Sequence, residues 1–285
     1  MENEKTVQKR LRIAVPSKGR LLGSSIAMLR QAGIDVPPSN GSLFASSKDG
    51  RYEIIYARAE DVPRYVESGA ADCGITGIDM VEETGADVAV LCGLGFGACR
   101  VSVAGRQGTT LAMLEGKTIA TRLPNTAGRF FASRNIPVKI MQVSGAAELT
   151  PYLGIADAIV DQVSSGSTLS LNNLVEIEKV LDSRAVLVAG RNNATRCEAL
   201  RLSVQGVMEA DGKAYLMLNV ANANVEKVSS LLGGLESPTM MPLAEKGMFA
   251  LHSVVGRNGL EVLIEKLKAN GAKDILVLGI ERIIP

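Results

Sequence analysis

The sequence predicts an α/β fold of two lobes followed by a small βαββαβ domain, and three observations carry that prediction. Short apolar runs of strand length alternate with segments of helical apolar spacing over residues 11–189. A glycine-rich link, Gly93-Leu94-Gly95-Phe96-Gly97, sits between two apolar runs and reads as a strand crossing between lobes; its GxGxG spacing is not a dinucleotide fingerprint. From residue 214 the order changes to strand, helix, two strands, helix, strand. A chain of 285 residues has room for two or three domains, each with its own core. The expected parts are a first lobe over 1–98 and 184–205, a second over 99–183, and a terminal domain over 206–285.

Composition excludes several classes. Lys and Arg (31) balance Asp and Glu (30) to a net charge of +1, so no general field favours nucleic acid or an anionic membrane. Aromatic residues make up 4% and Trp is absent, which leaves no stacking platform for bases. The first eleven residues hold no apolar signal-peptide core and no later run approaches a membrane span, so a cytoplasmic protein is expected. Cys73, Cys92, Cys99 and Cys197 form no CxxC pair, and with one His in the chain free buried thiols are expected rather than structural zinc.

In the first lobe an apolar strand over 11–16 runs into the turn Ser17-Lys18-Gly19-Arg20 and a helix over 21–32. That turn places Lys18 and Arg20 at the carboxyl end of a strand, where open α/β sheets bind ligands; a solvated basic turn is the other reading. A Pro/Gly/Ser-rich loop or hairpin over 37–50 precedes a strand over 52–57, a helix over 61–68 and a strand over 71–75. The alternation predicts a largely parallel sheet. Arg58 follows one strand end; at the next, Gly74 and Gly77 flank Thr76, letting backbone approach a ligand and Thr76 donate to it. Asp79 is either part of that site or a helix-start acid.

The second lobe repeats the pattern: strand 118–121, helix 126–133 with Asn125 as N-cap, strand 138–143, helix 146–153, strand 156–163, helix 168–181, strand 185–189. Its centre is the stretch 154–169, an apolar strand with Asp157 and Asp161 followed by Ser164, Ser165, Gly166, Ser167 and Thr168. Hydroxyls around a glycine at a strand-to-helix turn can wrap one phosphate with side-chain and backbone donors, and a following helix adds positive potential. The same stretch also reads as a polar loop with an N-cap. A helix over 197–209 leads to the last domain: strands over 215–221, 239–243 and 248–255, helices at 225–232 and 260–267, and a final buried strand over 275–280. The domain is ferredoxin-like in order. His252, in an apolar strand, is expected to be a packed residue with one satisfied nitrogen.

The two α/β lobes joined by crossing strands resemble periplasmic binding proteins. Five motifs in register are more specific: Val15-Pro16-Ser17-Lys18-Gly19-Arg20-Leu21, Ala71-Asp72-Cys73-Gly74-Ile75-Thr76-Gly77, Thr118-Ile119-Ala120-Thr121-Arg122-Leu123-Pro124-Asn125, the 154–169 stretch, and Glu236-Ser237-Pro238-Thr239. Together they resemble the long form of ATP phosphoribosyltransferase, essentially end to end. The resemblance implies transfer of phosphoribosyl from phosphoribosyl pyrophosphate to N1 of the ATP adenine, with Mg²⁺ riding mainly on the pyrophosphate. By position it places the 5′-phosphate on Ser164 to Thr168, ribose hydroxyls on Glu148 and Asp161, pyrophosphate beside Lys18 and Arg20, and nucleotide near Arg58, Thr76 and Asp79. The last domain, ACT-like by the same resemblance, would bind histidine as feedback inhibitor through Asn219, Ser237 and Thr239, in a homo-oligomer between dimer and hexamer. Two adjacent Asp before a Thr-Gly loop, common in other phosphoribosyltransferases, are absent, and Asp157 also reads as solvated or structural. Rival readings are a bilobal small-ligand sensor and a silent regulatory subunit.

Overall fold

The computed structural model describes residues 10–37, 41–233 and 237–284. Part of the 37–50 loop and Glu236 of the fifth motif lie outside the described residues. The chain divides into two compact units, Met1–Arg201 and Leu202–Pro285.

The first unit carries two sheets. Strands β1 (Leu11–Pro16), β2 (Phe44–Ser46), β3 (Tyr52–Ala57), β4 (Cys73–Gly77) and β5 (Val88–Gly93) form one of them, with helices α1 (Leu22–Gln31), α2 (Val62–Glu67) and α3 (Ile78–Thr84) between them. The second is built from β6 (Cys99–Arg106), β7 (Thr118–Thr121), β8 (Lys139–Gln142), β9 (Ala158–Val163) and β10 (Leu174–Ser183), with α4 (Pro124–Ser133) and α5 (Ser167–Leu171). Strand β11 (Ala185–Gly190) returns to the first sheet, whose order is β2-β3-β1-β4-β11-β5; the second runs β10-β6-β9-β7-β8. Both sheets are mixed rather than largely parallel. β1 is parallel to β3 and β4, and β7 to β8 and β9, while β11, β5, β6 and β10 pair antiparallel. β6 and β11 enter their sheets from the other lobe and β5 and β10 lead out towards it, while β2 pairs antiparallel with β3.

Three expectations about helices are corrected. The helix expected over 168–181 stops after five residues, because Asn173 turns left-handed (φ 55°), and the chain becomes β10. The register of β10 on β6 shifts at Glu176/Glu178 and Lys179/Leu181. Leu174 packs on one face of this sheet and Ile177 and Leu181 on the other, so a strand with apolar residues on both faces imitates the spacing of a helix. The helix expected over 146–153 is a single tight turn, Ala147–Leu149, ending before Pro151, whose ring and missing N–H oppose continuation. Asn125 is not the N-cap of α4: Leu123 takes that position, and the first-turn N–H groups find their acceptor in Glu83.

The second unit contains β12 (Lys213–Ala221), α7 (Val225–Leu231), β13 (Thr239–Pro242), β14 (Met248–Gly256), α8 (Leu260–Ala269) and β15 (Lys273–Gly279). Its fully antiparallel sheet has the order β13-β14-β12-β15, the ferredoxin-like arrangement. The helix α6 (Glu198–Ala210) precedes it, and the division between units falls within that helix. Alternate residues of β12 (Ala214, Leu216, Leu218, Val220) point to the helices and are buried with Val228, Leu251 and Leu267. The final strand is an edge strand, not a buried one: Leu276 and Leu278 are 53% and 48% exposed within the chain. Of the thiols, Cys73 and Cys197 are buried and Cys92 and Cys99 partly so; all are free.

Candidate functional site

In each lobe the parallel strands end on the same side, so the turns after their carboxyl ends gather at one edge. In the second lobe Arg122 follows β7, Gly145 to Glu148 follow β8, and Ser164 to Thr168 follow β9. These turns line one cavity of about 320 Å³, which brings together Glu148, Asp161 and the Ser/Gly loop. Gly166 stands at φ 82° as the residue before α5, a left-handed conformation that glycine takes without penalty. The loop hydroxyls already organise one another, with Ser165 Oγ 2.9 Å from Ser167 Oγ, while the Ser164 carbonyl accepts from Arg100 at 3.1 Å. Since α5 is only five residues long, the loop offers hydroxyls and N–H groups rather than the field of a long helix.

Asp161 lies on β9 with its backbone opposite Ser102 of β6. Burial pushes its carboxyl up from the ordinary Asp value, opposed by the neighbouring Arg122 guanidinium (3.4 Å) and by the Gln162 N–H (2.8 Å), while Glu148 raises it further. The sequence motifs contain Arg122 and Gln162 but give neither them nor Arg100 a role at the site. Arg122 was accessible to the rule that singled out Lys18 and Arg20, being a cation directly after a strand at the ligand-binding edge. Asp157 sits at the opposite, amino end of β9, where it accepts from the Thr118 N–H at 2.8 Å.

On the first lobe, Lys18 and Arg20 occupy the turn after β1. Arg20 is anchored on the crossing segment, donating to the Gly97 carbonyl and the Cys99 sulfur at 2.8 Å each. Arg58, after β3, is exposed, 3.8 Å from Glu60. The Thr76 hydroxyl, at the end of β4, is buried and donates inward to the Ala59 carbonyl at 2.7 Å. Asp79 is 1% exposed and bonded to Ser183 and Gln162. The glycines around Thr76 have packing reasons: a Cβ on Gly74 would meet Val62 at 2.5 Å, and one on Gly77 would collide with the Asp79 carboxylate.

In the second unit the Asn219 amide donates to Asp274 at 3.0 Å, and Thr239 stands opposite His252 across the β13–β14 ladder. Ser237 is exposed just before β13. His252 is a packed residue with one satisfied nitrogen: its Nδ1 is 2.9 Å from the Tyr215 hydroxyl, and its buried Nε2 has no partner. Among the described residues no three His, Cys, Asp or Glu side chains gather to hold a metal. No helix of the described residues is long and apolar enough to cross a membrane.

The geometry defines a class: bilobal α/β chains with a hydroxyl- and glycine-rich loop beside carboxylates in one lobe, here followed by a ferredoxin-like domain. A family model for ATP phosphoribosyltransferase (HisG) matches residues 58–209 and one for the HisG C-terminal domain matches 210–282. The chain belongs to the ATP phosphoribosyltransferase family in its long form, pentosyltransferases of histidine biosynthesis. It is 42% identical over 283 residues to the ATP phosphoribosyltransferase of Methanococcoides burtonii, covering 96% of this chain and 100% of that one. It is 40% identical over 291 residues to that of Gemmatimonas aurantiaca, with 96% and 100% covered. Among solved structures it is similar to the ATP phosphoribosyl transferase (HisG:HisZ) complex from Thermotoga maritima, with TM-score 0.64 and 29% identity over 70% of this chain and 100% of that one. Tv2483 bound to L-arginine shares the fold at TM-score 0.51 and 18% identity, over 72% and 87% of the two chains.

Proposed function

We propose that the chain joins C1 of phosphoribosyl pyrophosphate to N1 of the ATP adenine and releases pyrophosphate, the first step of histidine biosynthesis. The observation that carries this reading is the single cavity in which Glu148, Asp161 and the Ser164 to Thr168 loop meet. The loop hydroxyls and N–H groups hold the 5′-phosphate; the two carboxylates face the ribose. As the bond to pyrophosphate lengthens, C1 becomes cationic and the leaving group anionic. Fixed acids beside the sugar and the Lys18 and Arg20 cations beside pyrophosphate then bind the transition state better than the ground state. The adenine N1 lone pair needs no base, so the remaining work is alignment of two bulky anions between lobes. Arg58, Thr76 and Asp79 belong to the nucleotide side of this reading, Thr76 and Asp79 by shaping its wall from within. Mg²⁺, which usually keeps phosphate ligands, would ride mainly on the pyrophosphate and neutralise it.

In the same reading the enzyme is cytoplasmic and homo-oligomeric, between dimer and hexamer, and free histidine inhibits it through Asn219, Ser237 and Thr239. The test is pyrophosphate release with ATP, phosphoribosyl pyrophosphate and Mg²⁺, repeated with histidine and with Asp161→Ala. Turnover that needs both substrates, falls with histidine and is lost in the variant is expected; tight binding of either substrate without turnover would move the chain to the sensor or silent-subunit reading.

A further inference from the structure

Behind the cavity a buried polar connection reaches the seam between the lobes. Asp79, at the start of α3 in the first lobe, is 1% exposed, and Ser183, the last residue of β10, 3%. The Ser183 hydroxyl donates to one Asp79 carboxylate oxygen at 2.6 Å and accepts from the Asp79 N–H at 3.2 Å. The other oxygen accepts from Nε2 of Gln162, on β9 of the second lobe. Gln162 Oε1 accepts in turn from an Arg122 Nη2 at 3.2 Å, and the same nitrogen lies 3.4 Å from Asp161 Oδ1. A carboxylate can only accept and a guanidinium can only donate, so the carboxamide between them has one orientation that satisfies both. The collision awaiting a Cβ at Gly77 shows how closely the backbone is fitted around the Asp79 carboxylate.

We propose that Asp79 and Gln162 are positioning residues for Asp161: the first lobe, through Asp79, holds the Gln162 amide in the orientation that keeps Arg122 against the sugar-facing acid. Its functional meaning rests on the phosphoribosyl transfer proposed above. The consequence is that the meeting of the lobes sets the electrostatics of the sugar site. Separating them breaks the bond between Asp79 and Gln162, frees the amide and loosens Arg122. The charged groups facing Asp161 are Arg122 from the end of β7 and Glu148 from the turn after β8; Ser102 opposite it on β6 is neutral. Arg122 is therefore the cation whose loosening leaves only the Gln162 N–H to oppose burial and Glu148, and Asp161 then holds its proton to higher pH.

The experiment is a carboxyl-carbon NMR titration of Asp161, its signal assigned by its loss in Asp161→Asn. Gln162→Leu is expected to raise the Asp161 midpoint, Arg122→Gln to raise it at least as far, and the double variant no further than Arg122→Gln alone. Asp79→Asn should move it in the same direction as Gln162→Leu. An unmoved midpoint in Gln162→Leu, additive shifts in the double variant, or an unmoved midpoint in Asp79→Asn would each overturn the connection. In turnover, Gln162→Leu should raise KM for phosphoribosyl pyrophosphate roughly tenfold, the effect of one hydrogen bond to a charged group, with KM for ATP unchanged. Equal changes in both KM values would point to a general packing defect and overturn the assignment. Absence of turnover in the unaltered enzyme would refute the proposed reaction, while the titration still decides the connection.

Discussion

Replacing Glu83 with Ala should destabilise the first unit by uncapping a helix that this residue does not belong to. Helix α4 starts poorly: Leu123 at its N-cap provides no side-chain acceptor, and Pro124 has no N–H. The next two N–H groups, of Asn125 and Thr126, donate to the two carboxylate oxygens of Glu83 at 3.0 and 2.8 Å, and the Asn125 amide reaches the Glu83 carbonyl at 3.0 Å. Glu83 lies at the end of α3, so an acid of the first lobe caps a helix of the second. Loss of a capping acceptor costs about 1 kcal/mol, and an N–H left unpaired costs more where water cannot reach it, as at the 4% exposed Thr126. The sum is roughly 1–2 kcal/mol, or about 3–6 °C in Tm for a unit of this size. Glu83→Gln keeps one acceptor oxygen and should lose about half as much. Thermal unfolding followed by circular dichroism gives the answer. A Tm for Glu83→Ala within about 1 °C of the parent would refute the cap, and equal losses for Ala and Gln would refute its two-oxygen geometry.

Other perturbations separate function from stability. Since burial holds the folded Asp161 carboxyl above its ordinary value, its ionisation opposes folding. Asp161→Asn should therefore be more stable than the parent at neutral pH, with the advantage vanishing below the ordinary Asp pKa, where the acid is neutral in both states; urea midpoints across pH read this. Gly166→Ala places a Cβ at φ 82°, which costs about 1 kcal/mol and disturbs the loop, so KM for phosphoribosyl pyrophosphate should rise more than Tm falls. Phe131→Ala, 1% exposed in the core under β7, should cost about 3–5 kcal/mol with little selective effect on either substrate, measured by urea unfolding and steady-state kinetics.

Much of the architecture was legible because local pattern and burial coincide. Strands β1 and β7, both lying inside their sheets, were bounded correctly since their apolar runs end at turn residues. The ferredoxin-like order was legible from the alternation of β12 and the i, i+3, i+4, i+7 spacing of α8. Misreadings fell where neighbours overrule the local code. Apolar packing on both faces of β10 gave a strand a helix-like spacing, and the final strand, apolar enough for a core, lies at a sheet edge.

The site divides along the same line. By itself the sequence determined which residues can do the chemistry: a glycine able to turn left-handed among hydroxyls, acids on the strand before it, and cations after strand ends, because these depend on residue type and short spacing. Tertiary structure decided which of them meet. Asp157 and Asp161 are four residues apart on one chain segment, yet Asp157 precedes the amino end of β9 and Asp161 lies in its carboxyl half, since a strand advances steadily and only its carboxyl end faces the cavity. Arg122, Gln162 and Asp79 come from three distant positions, and only the packing of one lobe on the other turns them into a connected set. Hydrogen bonding acts over a few ångströms in space, and no sequence interval encodes that distance.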